Sequence, residues 1–279
     1  MTPMTEPAAA AAPVMPAYHA DQRVTLARVV RSEWTKLRSL PPAAWSLLTA
    51  AVLVTAGGVV AAVLQAAHPP HGHAAVAAFD PTSVSITGVG LAELATGVLG
   101  VLLITGEFAT GQVRITFAAV PRRLPVLYGK AAVLAAATLA TCIPAAIAAF
   151  LVSQSILSTH HLGIPLSHPG TARALLGSAL YLTAISLLGL GIGALLRHTA
   201  GAIAALFGVL FGLQLIVGFL PGSWPADVGK YLPANAGVDV TVVGPDPGSL
   251  GPWTGFGLLA LYTAAVLGLA AWRLRRRDA

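Results

Sequence analysis

The sequence predicts an all-α polytopic membrane protein with six transmembrane helices, and three observations carry that prediction. Six long apolar stretches divide the chain, each able to supply the roughly 20 helical residues that cross a bilayer core about 30 Å thick. Charged residues make up 9% of the 279 and hydrophobic ones 56%, against about 25% charged in a soluble domain, so these helices have no polar face for water. The basic residues fall almost entirely in every second gap between the stretches. Lipid offers the backbone no hydrogen-bond partner, which restricts spanning structure to helices and closed barrels. The ten-residue alternating strands of a barrel are absent.

Topology follows from the positive-inside bias of short loops. Fourteen of the sixteen Lys and Arg lie before the first span, between the second and third, between the fourth and fifth, or after the sixth. Arg173 and Lys230 are the exceptions. Both termini are therefore expected in the cytoplasm. The net charge of +6 then records orientation and contact with membrane lipids, and no nucleic acid is expected as a partner.

Residues 1–22 are rich in Ala and Pro and lack the apolar core of a signal peptide, so they read as a disordered cytoplasmic leader. Residues 23–40 follow as a basic amphipathic helix. At 100° per residue Leu26, Val29, Val30, Trp34, Leu37 and Leu40 share one arc, while Arg28, Arg31 and Arg38 lie outside it. Such a helix suits the membrane interface. Glu33 breaks the pattern by projecting into the apolar arc. Its carboxylate is expected to find a cation, either in the 107–130 segment or within its own helix at Arg28, Lys36 or Arg38. Arg31, Glu33, Trp34 and Lys36 are the polar and anchoring residues of this element. Pro41 and Pro42 end it.

The first span is read at 44–66. The loop after it carries His68, His71 and His73, weak candidates for metal ligands, with polar filler as the plainer reading. The second span, 84–106, contains Glu93. A carboxyl at that depth is costly and a functional candidate, whether by direct contact with a substrate or proton or by an interhelical hydrogen bond. Gly90, Gly97 and Gly100 share its face and permit close approach of another helix. The loop 107–130 mixes Arg114, Arg122, Arg123 and Lys130 with Phe108, Val113, Ile115, Phe117 and Val120. That apolar content predicts docking onto a soluble partner.

The third span, 131–157, holds the one cysteine, Cys142, and Pro144, so no disulfide forms within the chain. The fourth span is read at 171–196 and the fifth at 202–220. In the fifth, Gly208 and Gly212 stand at the Gly-x-x-x-Gly spacing of close helix packing. The outer segment 221–252 is broken by Pro and Gly, with a short helix expected near Trp224–Val228. The sixth span, 253–272, leads into a basic cytoplasmic tail, 274–279. No catalytic motif is present. Gly129-Lys130 and Gly229-Lys230 lack both the upstream Gly and the following hydroxyl of a phosphate-binding loop, so the chain is not expected to be an enzyme or to bind a cofactor.

The order of these features, with SEWTKLRS ahead of the first span, ITGEFATGQVR closing the second, then AAVPRRLPVLYGK, and KYLPANAG before the last, resembles the membrane permeases of ATP-binding-cassette exporters of the second type. The style is that of high-GC Gram-positive bacteria, and the resemblance covers about residues 23–273. It implies a six-span permease domain in the bacterial cytoplasmic membrane, working as a dimer with itself or a similar chain. A separate ABC ATPase subunit would bind the ATP and Mg. Glu107, Phe108, Thr110, Gly111 and Arg114 would form the coupling segment that receives the ATPase stroke, with helix 23–40 beside it. Spans one, two and five would line the interface or pathway. The rival expectations are a non-transporting scaffold or assembly protein and a proton-coupled carrier using Glu93.

Overall fold

The structure is a computed structural model that describes residues 25–70, 72, 79–112, 124–244 and 248–276. The leader 1–22, His71, His73, Arg114 with the rest of 113–123, and the tail end 277–279 lie outside the described residues. The described chain is all-helical, and six of its helices are long and apolar enough to cross a membrane.

Helix α1 (Leu26–Ser39) is capped by Thr25, whose hydroxyl accepts the Arg28 amide at 3.4 Å. It breaks at the extended Leu40. Pro41 and Pro42 open α2 (Pro41–Ala67), where a missing amide costs nothing because the first-turn donors have no intrahelical acceptor. The apolar arc of α1 is only partly covered by protein: Val29 and Leu37 are buried while Leu26 and Leu40 are exposed, and α1 packs mainly on the long fifth helix described below. Trp34 stays 38% exposed.

A short helix α3 (Pro81–Ser85) is capped by Asp80, which accepts from the Thr82 amide and the Ser83 hydroxyl. It precedes α4 (Val89–Ala109). The second span thus begins at Val89, and the expected residues 84–88 belong to α3 and a turn. Helix α5 (Leu124–Ser158) passes through Pro144 as one continuous helix and begins well before residue 131. The loop read as 107–130 shrinks accordingly: Glu107 and Phe108 lie in the last turn of α4, and Leu124 to Lys130 lie in α5.

Helix α6 (Thr171–Leu196) is the most buried span, followed by α4. The two share the most extensive helix contact in the molecule. A Cβ placed on Gly100 would lie 1.8 Å from the Ser186 carbonyl oxygen, and one on Gly189 would lie 2.3 Å from that of Gly97. These backbones touch because no side chain separates them. Gly90 has open space around it and takes no part, contrary to expectation.

Helix α7 (Thr199–Gly218) is the least buried span. Its stretch Gly208–Gly212 is a π-helix, and nothing approaches within 4 Å of a Cβ on Gly208 or Gly212. Among the described residues, the two glycines therefore make no close helix contact, although Leu210 between them is buried.

The segment before the last span holds α8 (Trp224–Gly229), with Trp224 exposed, and α9 (Pro233–Val238), followed by a 3-10 turn at Asp239–Thr241. The helix expected near Trp224 is present, yet α9 is the buried one. Pro233, Ala234, Ala236 and Gly237 are buried between α6 and α10 (Pro252–Arg276). Small residues on both sides allow this: a Cβ on Gly237 of α9 would lie 2.4 Å from the Leu259 side chain, and one on Gly255 of α10 would lie 2.2 Å from the Ala236 carbonyl oxygen.

Leu274 near the end of α10 clusters with Leu37 of α1. Both ends of the described chain therefore lie at one end of the bundle, termed the basic end here.

Candidate functional site

Four charged side chains converge where α1, α4 and α5 meet at the basic end. Glu33 stands on the buried face of α1, Glu107 in the last turn of α4, and Lys130 two turns into α5. Lys130 is 1% exposed and Glu33 2%. The Lys130 ammonium donates to Glu33 Oε2 at 2.6 Å and to Glu107 Oε1 at 3.0 Å. Lys36 donates to Glu33 Oε1 at 2.7 Å and to the same Glu107 oxygen at 3.0 Å. Glu33 thus finds a cation by both expected routes, in its own helix and at the far end of the 107–130 segment.

Among the described residues, two carboxylates and two ammonium groups balance in charge. That balance is what makes their burial tolerable, since an unpaired ion there costs several kcal/mol. Burial of the Lys36 ammonium opposes its charge, but hydrogen bonding and attraction from Glu33 and Glu107 outweigh it and raise its pKa above 10.5. The sign follows: the stabilisation Lys36 contributes is fully present below pH 10.5 and is lost only as pH climbs through the raised value.

The cluster holds both roots of the segment between α4 and α5. Thr110 caps α4, with its hydroxyl on the Gly106 carbonyl at 3.0 Å. Gly111 follows with φ +71°, a conformation glycine adopts without Cβ strain. Phe108 points to a different neighbour: the Arg197 guanidinium lies 5.2 Å from its ring centroid. Arg197 sits in the left-handed turn between α6 and α7. Thr199 at the start of α7 donates to Thr105 of α4 at 2.9 Å, and Arg273 of α10 donates to the Leu195 carbonyl. The C-terminal end of α4 therefore meets α1, α5, the α6–α7 turn and the start of α7.

Of the predicted set, Glu33, Lys36 and Glu107 join in one network. Phe108, Thr110 and Gly111 flank it, while Arg31 and Trp34 lie on the exposed side of α1. Lys130 was one of four basic residues of the 107–130 segment offered as a partner for Glu33, and was not singled out among them. The available signal was numerical: two acids in apolar settings need two cations, and Lys130 stands inside an otherwise apolar helix.

Glu93 forms a second polar contact, away from the first. Its carboxylate accepts from the hydroxyl of Tyr181 on α6, and both residues are buried. Tyr181 lies ten residues into α6, about 15 Å along it, near half the depth of a bilayer core. Its ring packs under Gly237 of α9. Tyr181→Phe should lower stability by about 1–3 kcal/mol, the cost of leaving a buried polar group unpaired. Glu93→Gln, which keeps an acceptor for the hydroxyl, should cost less. Thermal unfolding of the purified protein checks the order, and a reversed order would contradict the contact.

His68 caps α2 at its exposed end. Among the described residues no three His, Cys, Asp or Glu side chains are grouped to hold a metal ion. Compared with known proteins, the chain matches no family model and no curated protein.

Proposed function

We propose that this chain is the transmembrane permease of an ATP-driven exporter of the second ATP-binding-cassette type. On this reading it lies in the bacterial cytoplasmic membrane with its basic end inward, works as a dimer, and is driven by a separate ATPase subunit that binds ATP and Mg. The observation that carries the reading is the buried Glu33–Lys36–Glu107–Lys130 network.

A permease must turn a push on a cytoplasmic loop into movement of its spans. The network ties both roots of the 110–123 segment to α1, so a displacement of that segment moves α1, α4 and α5 together. The glycine-lined contact of α4 with α6 passes the motion into the centre of the bundle, because close-packed backbones transmit displacement rather than absorb it. Gly208 and Gly212 of α7, with open space beside each, are then available to a second copy.

The test is transport by the chain co-expressed with its ATPase. Glu107→Gln keeps the shape of the side chain and removes its charge. Gly111→Pro forces φ to about −65° where +71° is needed. Both variants should insert and retain the ATPase while losing ATP-driven flux about tenfold or more, the factor that 1.4 kcal/mol of lost coupling produces. Full flux in both would overturn the assignment. Flux that follows a proton gradient without ATP would favour the carrier reading through Glu93. Absence of both ATPase binding and flux would favour the scaffold.

A further inference from the structure

We propose that α9 is a plug that closes the Glu93 carboxyl off from the end of the bundle opposite the basic end, and that the π-helical stretch of α7 latches it shut through Gln214. This inference does not rest on the permease reading. Glu93 stands in the second turn of α4, whose last turn lies at the basic end, so it belongs to the opposite half of the bundle. It is 6% exposed. A solute in water therefore reaches it only when a neighbouring element moves.

The element placed to move is α9. A Cβ on Gly237 would lie 2.8 Å from two carbons of the ring of Tyr181, the hydroxyl partner of Glu93. Pro233, Ala234 and Ala236 are buried beside it. Six residues make too short a helix to be stable alone, so α9 keeps its place through its neighbours. Its side-chain ties converge on Asn235, which accepts from the Gln214 amide of α7 at 2.5 Å and donates to the Gly229 carbonyl of α8 at 2.9 Å.

Helix α7 is anchored in two parts. The first, Thr199–Phe207, packs on α4 and α6 and buries Ala202 and Leu206. The last, Leu213–Gly218, has no buried residue and packs on α8. The π stretch Gly208–Gly212 joins them and packs on α9. A π turn closes its hydrogen bonds one residue later than an α turn. Winding the stretch as α-helix therefore turns everything beyond it by roughly 100°, the rotation of one residue. Gly208 and Gly212 have open space for that change, and the last part of α7 has no buried side chain to resist it. Gln214 lies two residues past the stretch, so the turn carries its amide away from Asn235. The π form is the latched state, and the α form releases the plug.

The test measures how fast Glu93 reacts in the purified full-length protein at one pH. The probe is a water-soluble carbodiimide with glycine ethyl ester, and peptide mass spectrometry reads Glu93 and Glu33 in the same sample. Glu33 is also buried but lies at the basic end, so it reports general loosening. Gln214→Leu should speed labelling of Glu93 about fivefold, the factor that about 1 kcal/mol from one lost hydrogen bond produces, and leave Glu33 unchanged. Ser83→Ala, which removes a hydrogen bond to Asp80 in α3, should change neither. Gly208→Ala combined with Gly212→Ala favours regular α winding and should speed Glu93 as Gln214→Leu does.

An unchanged Glu93 rate in Gln214→Leu, a matching rise at Glu33, or an equal rise in Ser83→Ala would overturn the proposal. Should Gln214→Leu not fold, the paired alanine variant decides. Faster labelling of Glu93 alone supports the latch, and an unchanged rate refutes it.

Discussion

Gly100→Leu should prevent a stable bundle from forming. A Cβ at position 100 would sit 1.8 Å from the Ser186 oxygen and 2.9 Å from the Leu190 amide nitrogen, both backbone atoms of α6, so no rotamer change relieves the clash. Helix α6 cannot retreat either. Its far side is held too: a Cβ on Gly177 would lie 2.4 Å from the Val240 carbonyl oxygen and one on Gly191 2.8 Å from a Val266 methyl. Overpacking a core typically costs about 1–3 kcal/mol, and a clash of backbone on backbone belongs at or above the top of that range. The variant should give little monodisperse protein and a much lowered unfolding midpoint. Gly90→Leu is the matched control, on the same helix with nothing within 4 Å. It should remain within about 0.5 kcal/mol of the parent, as surface substitutions do. Equal behaviour of the two variants would mean that α4 and α6 do not cross as described.

Why some of this was legible in the sequence and some not has a physical basis. The six spans were readable because hydrocarbon demands continuous apolar helix, and that demand is written in composition alone. Their ends were not, because a helix can run on past the membrane. Glu107 and Lys130 lie on helices rather than in a loop since each has an ionic partner that makes helical burial tolerable. Glu33 advertised itself by standing in an apolar arc, which signals a partner without naming it. Tyr181 carried no signal, because a tyrosine in an apolar helix looks like any large side chain until a carboxyl is found opposite. The Gly208–Gly212 spacing was readable as a place for close crossing, as between two copies, but that the stretch is a π-helix was not, because the motif presumes α-helical periodicity. The buried α9 was hidden behind Pro and Gly, which usually mark exposed turns. Here the small residues serve close approach to α6 and α10.

Lys130→Met should be the most damaging single change at the ionic cluster, and its partial repair should be the most informative. The lysine is buried with two carboxylates on its ammonium group. Methionine keeps most of its length and removes the charge, leaving Glu33 and Glu107 to share Lys36. Breaking a buried ion pair in this way costs about 3–5 kcal/mol, because the remaining charge stays desolvated. Adding Glu33→Gln to Lys130→Met restores neutrality, with Glu107 still bonded to Lys36 at 3.0 Å. The double variant should therefore be more stable than Lys130→Met alone, with a coupling of about 1–3 kcal/mol in a double-mutant cycle. Replacing all four residues by apolar ones of similar volume should bring stability back near the parent, since such replacements are often neutral or better. That outcome would separate two roles. A fully apolar cluster that folds but no longer transmits movement from the 110–123 segment to α1 would mean that the charges serve to hold one alignment of the three helices. Additive losses across the cycle, with no recovery in the double variant, would show that the four groups do not act as one network.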